Sequence, residues 1–281
     1  MPTLTVHGLS IAYNQFGQPG SASPIVCLPS TGLSGQQWRR LAKLMSDRGH
    51  EVFTVDLIGY GGSDDWPRAR APFSTNYDVD VVEALFQLCS APIHVVGHSY
   101  GGRLALLAGL RRPERLRSLA LFEPTCFGVL RSADDAVGLA ELDAFNQDQR
   151  FLADDFGGSE AWVERFVDYW SGPGTYAELD EAQREAWLRS RQKMFEEVRE
   201  TALDAVPHQA YVDALGHLPL LVMSGATSTL AGRRCCEILG QVMPNARHVE
   251  LPEVGHMAPV LAGREVAELI AAHITAVEAA L

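Results

Sequence analysis

The sequence has 281 residues, 47% of them apolar and 21% charged, a composition typical of a globular protein with one large core or two modest ones. The net charge of −12 disfavours binding to phosphate backbones and to anionic lipid surfaces. No apolar run approaches the roughly 20 residues of a membrane helix. We therefore expect a cytoplasmic protein with neither a nucleic-acid nor a membrane partner, whose five cysteines are reduced and packed.

Short β-branched runs alternate with helical patterns along most of the chain, which is typical of a mostly parallel sheet covered by helices on both faces. The first two runs, 3–6 and 11–16, predict an antiparallel hairpin. Further strands are predicted at 25–28, 52–55, 93–96, 116–122, 218–223 and 247–251. Helices are predicted at 35–48, 76–88, 101–110, 230–242 and 264–280.

The segment between the sixth and seventh predicted strands has no strand pattern and is helical, aromatic and acidic. Residues 134–204 contain 18 Asp and Glu against seven Lys and Arg, a net charge of −11. We therefore predict a core formed by residues 1–126 and 216–281, with an inserted helical cap at 127–215. The charge is interpreted as a solvated outer face, and the aromatic stripe from Trp162 to Trp170 as the side that packs inward.

Ser99 lies at the centre of a Gly-x-Ser-x-Gly sequence, between Gly97 and Gly101. An apolar strand precedes this sequence and a helical pattern follows it. Such a strand, turn and helix hold a serine in a strained, exposed position above a sheet. The structural alternative is a serine that only caps the helix.

Three stretches together resemble the α/β-hydrolase fold family: the D-L-I-G-Y-G-G-S-D loop at 56–64, the elbow at 97–101, and V-G-H-M at 254–257. The resemblance runs from about residue 3 to the C-terminus and implies an α/β fold with a mostly parallel eight-stranded sheet and an inserted helical cap. It implies Ser99 as the nucleophile and His256 as the general base. Physical chemistry agrees, because a serine hydroxyl attacks poorly until an imidazole takes its proton.

The same resemblance implies that two backbone N–H groups stabilise the oxyanion. Tyr100 would supply one. The loop after the third strand reads L-P-S-T-G where relatives carry His-Gly, and its alignment places the second donor on Thr31. Ser30, His98 and Trp170 are candidate substrate contacts, although an ordinary polar turn at Ser30 and a structural role for His98 stay open.

The acid of the triad is the position at which this sequence departs most from the family pattern. Most relatives carry an aspartate in the segment that corresponds to 224–229, but this chain has no carboxylate there, and Ser228 stands in its place. A minority of the family carries the acid one strand earlier, where this chain has Glu123 followed by Pro124. The proline predicts an extended Glu123 at the strand's carboxyl edge, within reach of His256. A structural role for Glu123 and the alternative acid Asp56 both stay open.

These residues predict a serine hydrolase that cleaves a small or medium neutral carboxylic ester or lactone through an acyl-enzyme, with no metal and no cofactor. Two other function classes stay open. A lyase or cofactor-free oxygenase would use the Ser/His pair for proton transfer only, and a non-catalytic binding protein is favoured by the missing usual acid. The natural substrate, its chain length and the oligomeric state are not predicted.

Overall fold

The computed structural model describes residues 1–20, 22–67, 72–89, 92–146 and 149–280. Its sheet contains eight strands. They are β1 (Thr3–Val6), β2 (Leu9–Phe16), β3 (Ile25–Leu28), β4 (Val52–Val55), β5 (Ile93–His98), β6 (Leu116–Phe122), β7 (Leu220–Gly225) and β8 (Ala246–Leu251). Their spatial order is β1-β2-β4-β3-β5-β6-β7-β8. The first hairpin is antiparallel, β2 pairs antiparallel with β4, and all later pairs are parallel, which confirms the predicted fold class.

Helices follow most of the strands. They are α1 (Arg39–Ser46), α2 (Thr75–Leu88), α3 (Tyr100–Arg111), α4 (Gly128–Ser132), α5 (Ala136–Asn146), α6 (Glu160–Ser171), α7 (Thr175–Glu178), α8 (Glu181–Ala202), α9 (His208–Leu215), α10 (Leu230–Val242), α11 (Ala258–Leu261) and α12 (Gly263–Ala279). Short 3₁₀ turns lie at Gly35–Trp38, Pro113–Arg115 and Gln149–Leu152. Within these described ranges, no helix is both long and apolar enough to cross a membrane.

The sheet has a hydrophobic layer on each face. Every residue of β3, β4 and β5 is buried, as expected for central parallel strands that helices cover on both sides. One layer lies between the sheet and helices α1 and α12, and the other lies between the sheet and helices α2, α3 and α10. This two-sided packing fixes the carboxyl edge of the parallel strands. At this edge Ser99 directly follows β5, and Glu123 directly follows β6.

Only helices and turns occur in the described residues between β6 and β7, as the absence of a strand pattern predicts. We call residues 127–215 the insert. Its interior is aromatic: Trp162 is fully buried, and its indole Nε1 donates a hydrogen bond of 2.9 Å to the Phe151 carbonyl. Helix α8 begins with a capping box in which Asp180 and Gln183 bond to each other's backbone N–H groups. The division into core and cap stays a prediction.

Candidate active site

Ser99 occupies a sharp turn between β5 and α3. Its φ of 53° lies in the left-handed region, which is strained for a residue other than glycine. A Cβ on Gly97 would lie 2.6 Å from the Gly101 carbonyl oxygen, and one on Gly101 would lie 2.3 Å from the Leu28 carbonyl oxygen. Both glycines are therefore required by close packing. The Ser99 N–H donates a 2.9 Å bond to the Phe122 carbonyl, which ties the turn to the neighbouring strand.

His256 and Glu123 meet in the core beside this turn. The His256 Nδ1 and Glu123 Oε2 atoms are 2.6 Å apart, and the two side chains are 2% and 0% exposed. The other carboxylate oxygen, Oε1, accepts a 2.7 Å bond from the Gly225 N–H at the end of β7. With Nδ1 donating to the carboxylate, His256 Nε2 is the nitrogen that remains to accept a proton.

The backbone of Glu123 differs from the sequence expectation. We expected an extended residue before Pro124, but φ at Glu123 is 42°, in the left-handed region, so this expectation was wrong. The buried hydrogen bonds to both carboxylate oxygens hold the residue in this strained conformation. Residues with strained backbone conformations cluster at functional sites.

Trp170 connects His256 with the surroundings of Ser99. Its ring lies against the His256 ring, with centroids 4.1 Å apart, and it lines the same small cavity as Ser99. Within the described part of the chain, Ser99 Oγ donates no hydrogen bond to His256. Such bonds are often long in unliganded enzymes and tighten when substrate binds.

His98 and Ser30, two candidate substrate contacts, have partners within the protein that give each of them a structural role. His98 is fully buried: its Nε2 donates to the His256 carbonyl at 2.9 Å, and its Nδ1 accepts from Gln37 Nε2 at 3.0 Å. Burial, together with the nearby His256, lowers the pKa of His98, so this ring is neutral. Ser30 donates its N–H to Gln37 Oε1 at 3.1 Å. Neither residue is among those that line the two cavities described below, and both instead hold the His256 loop and the loop after β3 in place.

The two expected oxyanion donors both lie near Ser99, Tyr100 as the next residue in the chain and Thr31 in the lining of the same cavity. Tyr100 is the first residue of α3, where backbone N–H groups have no partner within the helix. Thr31 lies in the turn after β3, is 6% exposed, and lines the same cavity as Ser99. The adjacent Gly32 has a φ of 76°, which only glycine adopts without strain.

Asp56 and Ser228 mark the two other candidate positions for the acid, and their side chains have different surroundings. Asp56 uses both carboxylate oxygens for its own loop, because Oδ1 accepts from the Gly35 N–H and Oδ2 from the Gly62 N–H, each at 2.8 Å. Ser228 has a buried hydroxyl with no hydrogen-bond partner among the described residues. Of the three candidates, Glu123 is the one that the structure brings to His256.

Two spaces adjoin these residues. An inner cavity of about 30 Å³ lies at Ser99, and an outer groove of about 720 Å³ passes His256. Tyr169 and Trp170 of α6 line both spaces and so separate them. The inner cavity is otherwise lined by Thr31, Thr125, Phe127, Leu142, Phe145, Asn146, Phe166, Val198, Thr201 and Ala202. Trp170 is thus placed where the sequence analysis expected a substrate contact.

Comparison with known proteins identifies the family. A family model described as alpha/beta hydrolase fold matches residues 23–262. This protein belongs to that family. A pimeloyl-[acyl-carrier protein] methyl ester esterase of Aeromonas hydrophila is 29% identical over 255 residues, which cover 88% of this chain and 92% of the relative. A rhodomycin D methylesterase of a Streptomyces species is 25% identical over 98% of this chain and 99% of its own.

A solved structure shows the same fold over nearly the whole chain. The enol-lactonase from Burkholderia xenovorans superposes with a TM-score of 0.72, covers 98% of this chain and 100% of its own, and shares 20% sequence identity. At that identity the likeness shows the fold alone. The expected family and fold are therefore confirmed.

Proposed function

We propose that this protein is a cofactor-independent serine hydrolase that cleaves a small or medium neutral carboxylic ester or lactone through an acyl-enzyme. One observation carries the proposal: the 2.6 Å contact between the buried Glu123 carboxylate and His256 Nδ1, beside a serine on a strained elbow. This contact supports Glu123 as the acid that the sequence lacks at its usual place, and so weakens the main argument for a non-catalytic binding protein. Two of the relatives named above are esterases, which supports ester hydrolysis as the reaction class.

The first half of the reaction forms the acyl-enzyme. Ser99 Oγ attacks the ester carbonyl while its proton passes to His256 Nε2, and the Glu123 carboxylate stabilises the imidazolium that results. The N–H groups of Thr31 and Tyr100 would bind the carbonyl oxygen as it gains negative charge. When the tetrahedral intermediate collapses, the C–O bond to the alcohol breaks, and the alcohol leaves with the proton from His256.

The second half regenerates the enzyme. Water attacks the acyl carbon while His256 Nε2 takes one of its protons, and the same two N–H groups stabilise the new oxyanion. Collapse of this intermediate breaks the bond to Ser99 Oγ, which recovers its proton from His256. The carboxylic acid is released, and no cofactor is consumed.

The volumes of the two cavities favour a substrate with a small group at Ser99 and a larger group in the outer groove. An inner cavity of about 30 Å³ accommodates about one methyl or water-sized group without rearrangement. Both named relatives act on methyl esters according to their names, so a small alcohol on the substrate fits this space. The rest of the substrate would lie in the outer groove, past Trp170.

The charge of the insert supports a neutral substrate. Its net charge of −11 between residues 134 and 204 raises the electrostatic cost for an anionic compound that approaches from solution. The outer groove adds carboxylates of its own, from Glu141, Asp168 and Glu253. We therefore propose that neutral esters and lactones are preferred over charged acyl carriers of equal acyl length.

A substrate panel tests the proposal. Methyl and p-nitrophenyl esters, lactones and coenzyme A thioesters of equal acyl length are assayed with the wild type and with Ser99→Ala. We expect measurable hydrolysis of the neutral esters by the wild type alone. Equal hydrolysis by Ser99→Ala would refute the serine mechanism, and a preference for the thioesters would refute the electrostatic argument.

A further inference from the structure

A cluster of buried polar side chains joins the insert to the core, next to the elbow that carries Ser99. It consists of Tyr60, Asp78, Tyr100, Lys193 and Glu197, each between 0% and 8% exposed, and we call it the buried ion cluster. Lys193 Nζ donates to Asp78 Oδ2 at 2.8 Å and also to Glu197 Oε1. Tyr60 donates its hydroxyl to Glu197 Oε2 at 2.8 Å, and Tyr100 donates its hydroxyl to Asp78 Oδ2 at 3.0 Å.

Stability alone is a poor explanation for this cluster. Two carboxylates and one ammonium group are removed from water, and such groups often stabilise a fold less than apolar residues of similar size would. Burial raises the pKa of the Glu197 carboxyl to about 7 despite the adjacent Lys193 cation, which shows the cost of keeping it ionised. The Lys193 ammonium also lies over the rings of Phe73 and Tyr60, at 4.1 and 4.9 Å from their centroids.

The cluster contacts both segments that carry the proposed oxyanion donors. Tyr100, whose N–H is one donor, is anchored by its own hydroxyl to Asp78. The Tyr60 hydroxyl lies against the backbone of Gly32, the residue after Thr31. The two segments are far apart in sequence, and Lys193 bridges the carboxylates to which they are attached.

Helix α8 itself reaches both the oxyanion loop and the pocket. Trp187, six residues before Lys193, covers Gly32 so closely that a Cβ there would lie 2.3 Å from its Cζ3 atom. Near the other end of the helix, Val198 and Thr201 line the cavity at Ser99. One helix of the insert therefore contacts the loop after β3 and lines the inner cavity.

We propose that Lys193 is a positioning residue, which acts through the buried ion cluster to hold the Thr31 and Tyr100 N–H groups in the geometry of a working oxyanion hole. The oxyanion hole is complete only when α8 packs against the core, so the insert contributes to the catalytic rate as well as to the choice of substrate. This inference rests on the proposed function, because it assigns a role in the oxyanion stabilisation proposed above.

Two variants test the role without changing the net charge of the buried ion cluster. The double variant Lys193→Met/Glu197→Gln removes one charge of each sign, and Tyr60→Phe removes only the hydroxyl that joins Glu197 to the Gly32 loop. Loss of a whole oxyanion donor typically costs about 10²–10³ in kcat, and we expect a misplaced donor to cost about tenfold. Arg189→Met is the matched control, because Arg189 is an exposed cation on the same helix.

The measurements are kcat and KM for a neutral p-nitrophenyl ester, the melting temperature, and the rate at which a fluorophosphonate labels Ser99. We expect both test variants to fold, with kcat and the labelling rate about tenfold lower and KM changed less than about threefold. Arg189→Met should match the wild type. If both variants keep the wild-type kcat, or if only KM rises, the inference is wrong. Absence of labelling in the wild type would instead refute the proposed function itself, so the two failures are distinguishable.

Discussion

Replacing Glu123 by Gln removes the charge that faces His256 and changes almost no volume. The amide oxygen can still accept the bond from the Gly225 N–H, which is 2.7 Å from Oε1, so we expect the backbone to stay in place. The amide NH₂ then faces His256 Nδ1, which is 2.6 Å from the carboxylate oxygen it replaces. Two donors cannot bond to each other, so His256 is driven to the tautomer whose Nε2 already carries a proton.

The size of the effect follows from this change of tautomer and the lost charge. In a serine triad of another fold, the corresponding acid-to-amide change lowers kcat by about 10⁴, or about 5.5 kcal/mol of barrier. Since Glu123 and His256 are buried and in direct contact, we expect a decrease of about 10³–10⁴ in kcat with little change in KM.

Ester hydrolysis by purified Glu123→Gln is compared with that of two other variants. Ser228→Ala alters the position where most relatives carry the acid, and its hydroxyl has no partner among the described residues, so kcat should stay within about twofold. Asp56→Asn should chiefly lower the melting temperature rather than kcat, because both carboxylate oxygens of Asp56 hold its own loop. If Glu123→Gln and Ser228→Ala had the same kcat, or if a well-folded Asp56→Asn lost the most activity, the acid would be wrongly assigned.

Three further predictions concern the nucleophile, the pocket and the buried ion cluster. Ser99→Ala should lose at least about a thousandfold in kcat with little change in melting temperature, and turnover within tenfold of the wild type would exclude the nucleophile role. Trp170→Ala should join the inner cavity to the outer groove. The ratio of kcat/KM for p-nitrophenyl octanoate to kcat/KM for p-nitrophenyl acetate should then rise at least about tenfold. An unchanged ratio would contradict the separating role of Trp170. The third uses the Glu197 carboxyl, whose pKa is raised from 4.5 to about 7, chiefly by burial. The stabilisation from this raised pKa is fully present below pH 4.5 and is lost as the pH rises through 7. Denaturant titrations from pH 4.5 to 8 should therefore show the free energy of unfolding of the wild type falling more than that of Glu197→Gln, and parallel curves would contradict this prediction.

The parts of the fold that depend on local pattern were predictable. The apolar run before Ser99 and the glycines around it require a strand, a tight turn and a helix, and the structure places β5 and α3 there. The same reasoning located the strand that ends before Glu123. What it could not supply was the backbone at Glu123, because its φ of 42° is held by bonds to Gly225 and His256 from distant parts of the chain.

The supporting contacts of the site were beyond sequence reasoning. Gln37 bridges Ser30 and His98, yet nothing in its sequence neighbourhood distinguishes it from an exposed glutamine on a short helix. Lys193 lies in an acidic helix and is separated from Asp78 by 115 residues, so their contact depends on how the insert sits on the core. Burial of a charged side chain at such an interface is set by tertiary packing, which no local pattern encodes.

The most direct test of the central claim is a mass measurement on the acyl-enzyme. The protein is mixed with a p-nitrophenyl ester, quenched in acid within the first turnover, and digested for peptide mapping. We predict an added acyl mass on the peptide that contains Ser99, at Ser99 itself, and its absence from Ser99→Ala. Steady turnover with no acyl adduct on the quenched enzyme, or an adduct on another residue, would contradict the proposed mechanism.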